Sequence, residues 1–191
     1  MIPELSICIG IFNRWEIFQK GYSALADSIL AVGIGLELVI ADFTIGGCPA
    51  WIDDECGESF EIVVCNNSGK KFTRGGARNA AAITAKADNL FFMDADMILI
   101  PAVLRRGLEV IKDGKAFFPY YDRITPDGLS TEIGIGTGNV FCSKAAYESA
   151  GRFPEIDGWG KEDTLFSHWF KERGLMVREK FPGFLHQYHK G

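Results

Sequence analysis

Two carboxylates one residue apart, Asp94 and Asp96, follow the apolar run Leu90-Phe91-Phe92-Met93. In extended chain, residues i and i+2 point to the same side, so both carboxylates can look into one crevice. Paired hard oxygen donors suit Mg²⁺ or Mn²⁺, metals that complete their coordination with substrate phosphates. An Asp-x-Asp triplet also arises easily by chance, so its company matters. His186 and His189 are candidates to join Asp96, and imidazole tilts the preference toward manganese. A merely solvated pair is the plain alternative.

Glu162 and Asp163 open the run EDTLFSHWFKERG, in which Leu165, Phe166, Trp169 and Phe170 have the spacing of a buried helical stripe. The helix dipole keeps first-turn carboxylates ionised, able to accept a proton or a hydroxyl hydrogen bond. The same pair could simply complement that dipole. His168 lies inside this helix and reads as structural. Trp159, between Gly158 and Gly160, adds little to a core from such a loop, whereas an open indole face can stack on a sugar ring.

The run Lys70 to Asn79, KKFTRGGARN, places Lys70, Lys71, Arg74 and Arg78 around a helix start that Thr73 or the glycines can cap. Cations there oppose the dipole, a local conflict that a bound anion would relieve. Gly134-Ile135-Gly136-Thr137-Gly138 looks like part of a dinucleotide fingerprint, but a strand follows it instead of a long helix.

The elements that must hold these residues alternate. Strands read at 5–12, 36–41, 60–65 and 90–93; helices read at 15–32, 74–87 and 101–112, the last opened by Pro101. A Gly/Pro/Asp-rich loop, 45–57, interrupts them. This rhythm predicts βαβ units around a mostly parallel sheet, with Asp94 and Asp96 at the carboxyl end of a strand, where open α/β sheets bind ligands. Beyond Ala116, strand, turn at Pro126-Asp127-Gly128 and returning strand predict an antiparallel hairpin appended to that sheet. A strand at 139–142, a helix capped by Ser143, the helix at 162–173 and a final strand pair at 176–188 complete the chain.

With 191 residues, 47% hydrophobic and 13% aromatic, the chain can bury a substantial core, most simply as one domain, 1–191. A formal charge of -5 gives no reason to expect a nucleic-acid partner, and a site for phosphates must make its own positive field. Cys8, Cys65 and Cys142 sit in apolar runs and read as reduced core residues; Cys48 and Cys56 could bridge or bind metal, though their spacing fits no zinc pattern. No apolar run approaches the length of about 18 residues that a membrane span needs, and no leader is evident, so a cytoplasmic protein is expected.

Taken together, Ser6 to Arg14, Val39 to Asp42, Gly76-Ala77-Arg78-Asn79, Phe92 to Asp96, Gly158 to Asp163 and a final histidine, in that order, resemble the GT-A fold glycosyltransferases. The chain looks most like family 2 enzymes, with a second half similar to the C-terminal segment of galactosyltransferases and polypeptide N-acetylgalactosaminyltransferases. The resemblance implies a Rossmann-like α/β fold with a nucleotide-binding half, about 1–100, and an acceptor half, about 101–191. It implies inverting, metal-dependent transfer from a UDP-sugar to a glycan or other hydroxyl acceptor. Asp42 would hold the uridine, Arg78 would lie near base or diphosphate, and Asp94 would bond ribose or donor sugar; Asn13, Arg14, Arg74 and Asn79 complete the nucleotide-sugar set. Asp96 and His189, with His186 as a possible third ligand, would hold Mn²⁺ or Mg²⁺. Trp159 would contact both sugars, Asp163 would be the general base and Glu162 would bind an acceptor hydroxyl. With no extra acceptor module, the acceptor is small or is docked by a partner domain or a second subunit. The competing readings are a non-catalytic sugar-nucleotide or glycan-binding module and a nucleotidyltransferase. The latter class would show a Gly-rich basic loop after the first strand, where this chain has Phe12-Asn13-Arg14-Trp15.

Overall fold

The computed structural model describes residues 2–52, 60–158 and 160–189, with side chains except at 129–132. The first strand, β1 (Leu5–Ile11), leads through α1 (Trp15–Val32) to β2 (Leu36–Asp42), and β3 (Glu61–Asn66) follows. These strands pair in parallel, β1 with β2 and β2 with β3. Helix α1 stops where Gly33 turns left-handed, at φ 69°, and its amide returns to the Ile29 carbonyl. Helix α2 (Arg74–Thr84) then crosses to β4 (Asn89–Phe92), which lies on the other side of β1, also parallel to it.

The chain therefore moves outward from β1 in one direction and then returns to its opposite side. That reversal leaves a crevice at the carboxyl ends of β1 and β4, the switch point at which such sheets bind ligands. Asn13 and Arg14 follow one strand and Asp94 and Asp96 the other. The chain continues with β5 (Met97–Ile98), α3 (Pro101–Lys112), β6 (Ala116–Phe117), β7 (Tyr120–Thr125), β8 (Gly128–Gly134), β9 (Val140–Ser143), α4 (Lys144–Ser149), α5 (Glu162–Glu172), β10 (Met176–Val177) and β11 (Lys180–His186). The main sheet has seven strands in the order β10-β6-β9-β4-β1-β2-β3.

Alternate residues of the central strands feed two cores, as continuous apolar strands covered on both faces must. Ile7, Ile9, Leu38 and Ile40 pack toward Phe18, Tyr22 and Leu25 of α1 and Val103 and Leu104 of α3. Cys8, Val39, Leu90 and Phe92 pack on the other face, toward Ala77 and Ala81 of α2 and Phe166 and Phe170 of α5. Gly10 lets α2 approach, since a Cβ there would lie 2.6 Å from the Ala77 methyl. Cys8 and Cys142 are buried as expected, whereas the pairing considered for Cys48 and Cys56 lies outside the described residues.

The expected hairpin forms, with β7 antiparallel to β8, but not on the main sheet. It belongs to a second sheet of order β5-β11-β7-β8, in which β11 runs parallel to β7. Pro119 separates β6 from β7; lacking an N–H, it cannot extend a ladder, and the chain changes sheet there. The final strand pair divides in the same way, β10 joining β6 in the main sheet and β11 the small one. In α5 the buried face is Glu162, Phe166 and Phe170, and Leu165 is exposed, because four-residue steps carry the inward side of this helix through a charged residue. No helix of the described residues is long and apolar enough to cross a membrane.

Candidate active site

The small sheet brings the end of β11 over the carboxyl end of β4. The Gln187 amide donates to the Asp96 carbonyl at 2.8 Å, and the Gln187 side chain donates to the Ile17 carbonyl of α1 at 3.2 Å. Gly21 makes room for this crossing, since a Cβ there would meet the Gln187 amide nitrogen and the Met97 carbonyl at 2.8 Å. Held in this way, His189 Nε2 lies 2.8 Å and His186 Nε2 3.4 Å from Asp96 Oδ2. A donor atom from each of the three residues lies within 4.8 Å of the others. The second carboxylate oxygen, Asp96 Oδ1, is buried without a hydrogen-bond partner. One orphaned oxygen and two imidazole nitrogens form a donor set that fits Mn²⁺, and fits Mg²⁺ less well.

Burial alone would raise the Asp96 carboxyl pKa, but the hydrogen bonds and charges of His186 and His189 outweigh it and hold the group below its ordinary value. The Asp96 hydrogen bond in turn raises His186. The Tyr121 ring stacks on His186 with centroids 5.7 Å apart and fixes its plane. Arg14 reaches His189 from the other side, its guanidinium donating to Nδ1 at 2.6 Å.

Asp94 does not face the histidines. Its carboxylate accepts from Arg78 at 2.6 Å, and Arg78 also donates to Glu162 at 3.0 Å. Arg78 and Glu162 are buried, and the guanidinium lies over the Phe153 ring. Gly138 permits this arrangement: a Cβ there would lie 2.7 Å from the Arg78 nitrogen and 2.9 Å from Asp94 Oδ2. Asp163 sits beside Glu162 at the start of α5. Its Oδ2 accepts from the Thr137 amide at 3.3 Å and hydroxyl at 3.1 Å, and its Oδ1 from the Thr164 amide at 2.8 Å.

These groups share one cavity of about 1150 Å³, lined among others by Asn13, Arg14, Arg74, Arg78, Asp94, Asp96, Glu162, Asp163, His186 and His189. Most residues singled out in the sequence thus converge. Asn79 does not. Its amide oxygen accepts from the Tyr147 hydroxyl and the Phe153 amide, and its nitrogen donates to the Phe153 carbonyl and Glu155, so it braces the 153–155 segment from a buried position away from the cavity. Asp42 is fully buried below the cavity; Oδ1 accepts from the Trp15 indole at 3.2 Å and the Thr44 amide at 2.9 Å, while Oδ2 has no partner. Trp159 lies outside the described residues, though Gly158 and Gly160 line the cavity.

The basic run at 70–78 disperses. Thr73 caps α2, accepting from the Gly76 amide at 3.0 Å; Lys70 turns to Asn67, Lys71 to Asp157 and Arg78 to its two acids. Arg14, Arg74 and Arg123 carry positive charge to the cavity instead. Arg123 and Tyr121 gave no signal in the sequence, because only the small sheet brings them to β4, while Thr137 and Gly138 belong to the glycine-rich 134–138 run that resembled part of a dinucleotide fingerprint and instead serves Asp163, Arg78 and Asp94. His168 pairs with Glu172 on the surface at 2.9 Å, a structural role as expected.

The comparisons with known proteins agree with this layout. The family model "Glycosyl transferase family 2" matches residues 6–169. No curated protein sequence matches the chain. Crystal structures of S. aureus TarS 1-349 in complex with UDP-GlcNAc and with UDP are similar to it, each at 14% identity and TM-score 0.77. They cover 98% and 97% of this chain, which covers 59% and 60% of theirs; of S. aureus TarS in a further crystal structure it covers 37%, with a TM-score of 0.73. At that identity the likeness is one of fold, and the chain spans about 60% of the length of the shorter TarS chains. With the family match running from β1 through most of α5, this chain belongs to glycosyl transferase family 2.

Proposed function

We propose that the chain is an inverting, metal-dependent glycosyltransferase that moves a sugar from a UDP-sugar to a glycan or other hydroxyl acceptor. The observation that carries this reading is that the Asp96–His186–His189 cluster and Asp163 open into one cavity at the switch point of the sheet. TarS, of the same fold, was crystallised with UDP-GlcNAc and with UDP, which favours a uridine nucleotide as donor and as probe. In this reading residues up to about 100 bind the donor, and those beyond bring the acceptor and complete the centre.

Asp96, His189 and His186 hold the metal, which, when bound, supplies Lewis acidity to the leaving diphosphate. Arg14, Arg74 and Arg123 add charge on the same side and favour the diphosphate over its neutral surroundings. Asp42, fully buried and bonded to the Trp15 indole and the Thr44 amide, would support the uridine side of the cavity from beneath without touching the nucleotide, with Asn13 at the mouth of its strand. Asp163 takes the proton from the acceptor hydroxyl as that oxygen bonds to the anomeric carbon and the bond from carbon to the diphosphate oxygen breaks, releasing UDP. Thr137 and the Thr164 amide at the start of α5 orient the carboxylate for this step. Glu162 gives Oε1 to Arg78, which leaves its other oxygen for an acceptor hydroxyl. Trp159, on the same loop, would contact both sugars.

Calorimetry with UDP and Mn²⁺, followed by a UDP-sugar hydrolysis assay, tests the proposal. Metal-dependent UDP binding with sugar release is expected. Binding without turnover would favour a non-catalytic module, and pyrophosphate release from a nucleoside triphosphate and a sugar phosphate would make the chain a nucleotidyltransferase.

A further inference from the structure

Helix α5 begins without an ordinary cap. Its N-cap residue, Lys161, is a non-glycine residue held left-handed at φ 85°, and its own side chain makes no capping hydrogen bond. Left-handed backbone at a residue with a Cβ costs free energy and persists only where the surroundings over-determine it. What fixes this helix start is the residue after Lys161. Glu162 is buried, and its carboxylate takes a charge-assisted hydrogen bond from Arg78 at 3.0 Å. The other end of the same guanidinium holds Asp94, directly after β4, at 2.6 Å. Phe153 covers the guanidinium face, and Gly138 lets the three groups close up.

Arg78 is therefore a bridge between the strand that carries Asp94 and Asp96 and the helix that carries Asp163. We propose that it is a positioning residue: by gripping Glu162 it holds the strained first turn of α5, and with it Asp163, at a fixed place relative to the end of β4. Both of its terminal nitrogens are bonded to carboxylates, Nη1 to Glu162 and Nη2 to Asp94, so in this proposal it acts on the reaction through them and not by touching the diphosphate. The inference rests on the glycosyltransferase reading only for its effect on transfer; the mechanical claim stands without it.

Two kinds of measurement on Arg78→Met, Arg78→Lys, Glu162→Gln and the Arg78→Met/Glu162→Gln pair test this. The first needs no substrate. Hydrogen exchange at the Leu165 amide, which donates to the Lys161 carbonyl at 2.8 Å, reads the first turn of α5 directly. Arg78→Met and Glu162→Gln are each expected to speed it by about tenfold or more, with the β1 and β2 amides unchanged. The second is kinetic. A misplaced base should lower kcat by about 100-fold while the donor KM and the affinity for UDP with Mn²⁺ stay within about threefold of the parent. Because both single changes remove one link, the pair should be no worse than the poorer of them. Arg78→Lys keeps the charge but reaches one carboxylate as a point charge, so it folds and falls between parent and Arg78→Met.

An unchanged Leu165 exchange rate in both Arg78→Lys and Glu162→Gln would overturn the proposal. So would a loss of UDP affinity in Arg78→Lys as large as the loss of kcat, since Arg78 would then be a nucleotide contact. If the parent protein neither binds UDP nor splits UDP-sugars, the glycosyltransferase reading fails, and the exchange experiment still decides the role of Arg78.

Discussion

At the scale of single residues, the proposed function divides the cavity into groups that would hold a metal and groups that would move a proton, and substitutions should separate them. Asp96→Ala removes the carboxylate between the two imidazoles and is expected to abolish Mn²⁺-dependent UDP binding in calorimetry. Asp163→Asn should leave that binding intact and lower transfer by about 10² to 10⁴-fold, the usual worth of a positioned base. Equal loss of binding in both would mean that the roles are wrongly divided. The titration behaviour has a defined sign. His186 is raised above its ordinary 6.5, so its bound proton opposes the metal up to a higher pH, and Mn²⁺ affinity should keep climbing as pH rises beyond 6.5. In the metal-free protein the same pair contributes stability fully between the ordinary values of 3.8 for Asp96 and 6.5 for His186. That contribution is lost as pH rises through the raised His186 pKa or falls through the lowered Asp96 pKa. Melting curves in chelator across that range check it. Asp96 was legible as a candidate from its place after an apolar run, Asp163 from its place in the first turn of an amphipathic helix, and the histidines from their type alone. The use of Asn79 as a brace was not, because an amide looks the same in a sequence whether it meets a ligand or the Phe153 backbone.

At the scale of elements, the site depends on where helices start and how closely strands approach. Thr73→Ala removes the side chain that accepts from the Gly76 amide and should cost about 1 kcal/mol in denaturant unfolding, the usual worth of an N-cap. Gly138→Ala should leave the unfolding midpoint nearly unchanged but lower transfer sharply, since its methyl would push Arg78 and Asp94 apart; unaltered kinetics would show that the close approach is dispensable. The parallel core was readable because β1, β2 and β4 are mostly apolar runs, and Pro101 and Thr73 marked their helices. The small sheet was not readable. Its strands pair β11 with both β5 and β7 across long separations, and nothing local distinguishes a hairpin added to one sheet from one that founds another.

At the scale of the whole molecule, the centre is assembled from distant parts: Arg14 after β1, Asp96 after β4, Thr137 in the loop before β9, Asp163 on α5 and His186 and His189 at the end of β11. A chain stopped after Gln187 retains the hydrogen bonds of Gln187 to the Asp96 and Ile17 carbonyls. It should melt within a few degrees of the parent yet lose most of its Mn²⁺ affinity; retention of full affinity would show that Asp96 and His186 suffice. The separation of 93 residues between Asp96 and His189 also bears on biosynthesis. Translation delivers β1, β2 and β4 to a growing polypeptide long before residue 189 leaves the ribosome, so the scaffold can condense while the centre still lacks one imidazole. On the function proposed above, a nascent copy would therefore hold an incomplete centre until His189 had emerged and reached Asp96.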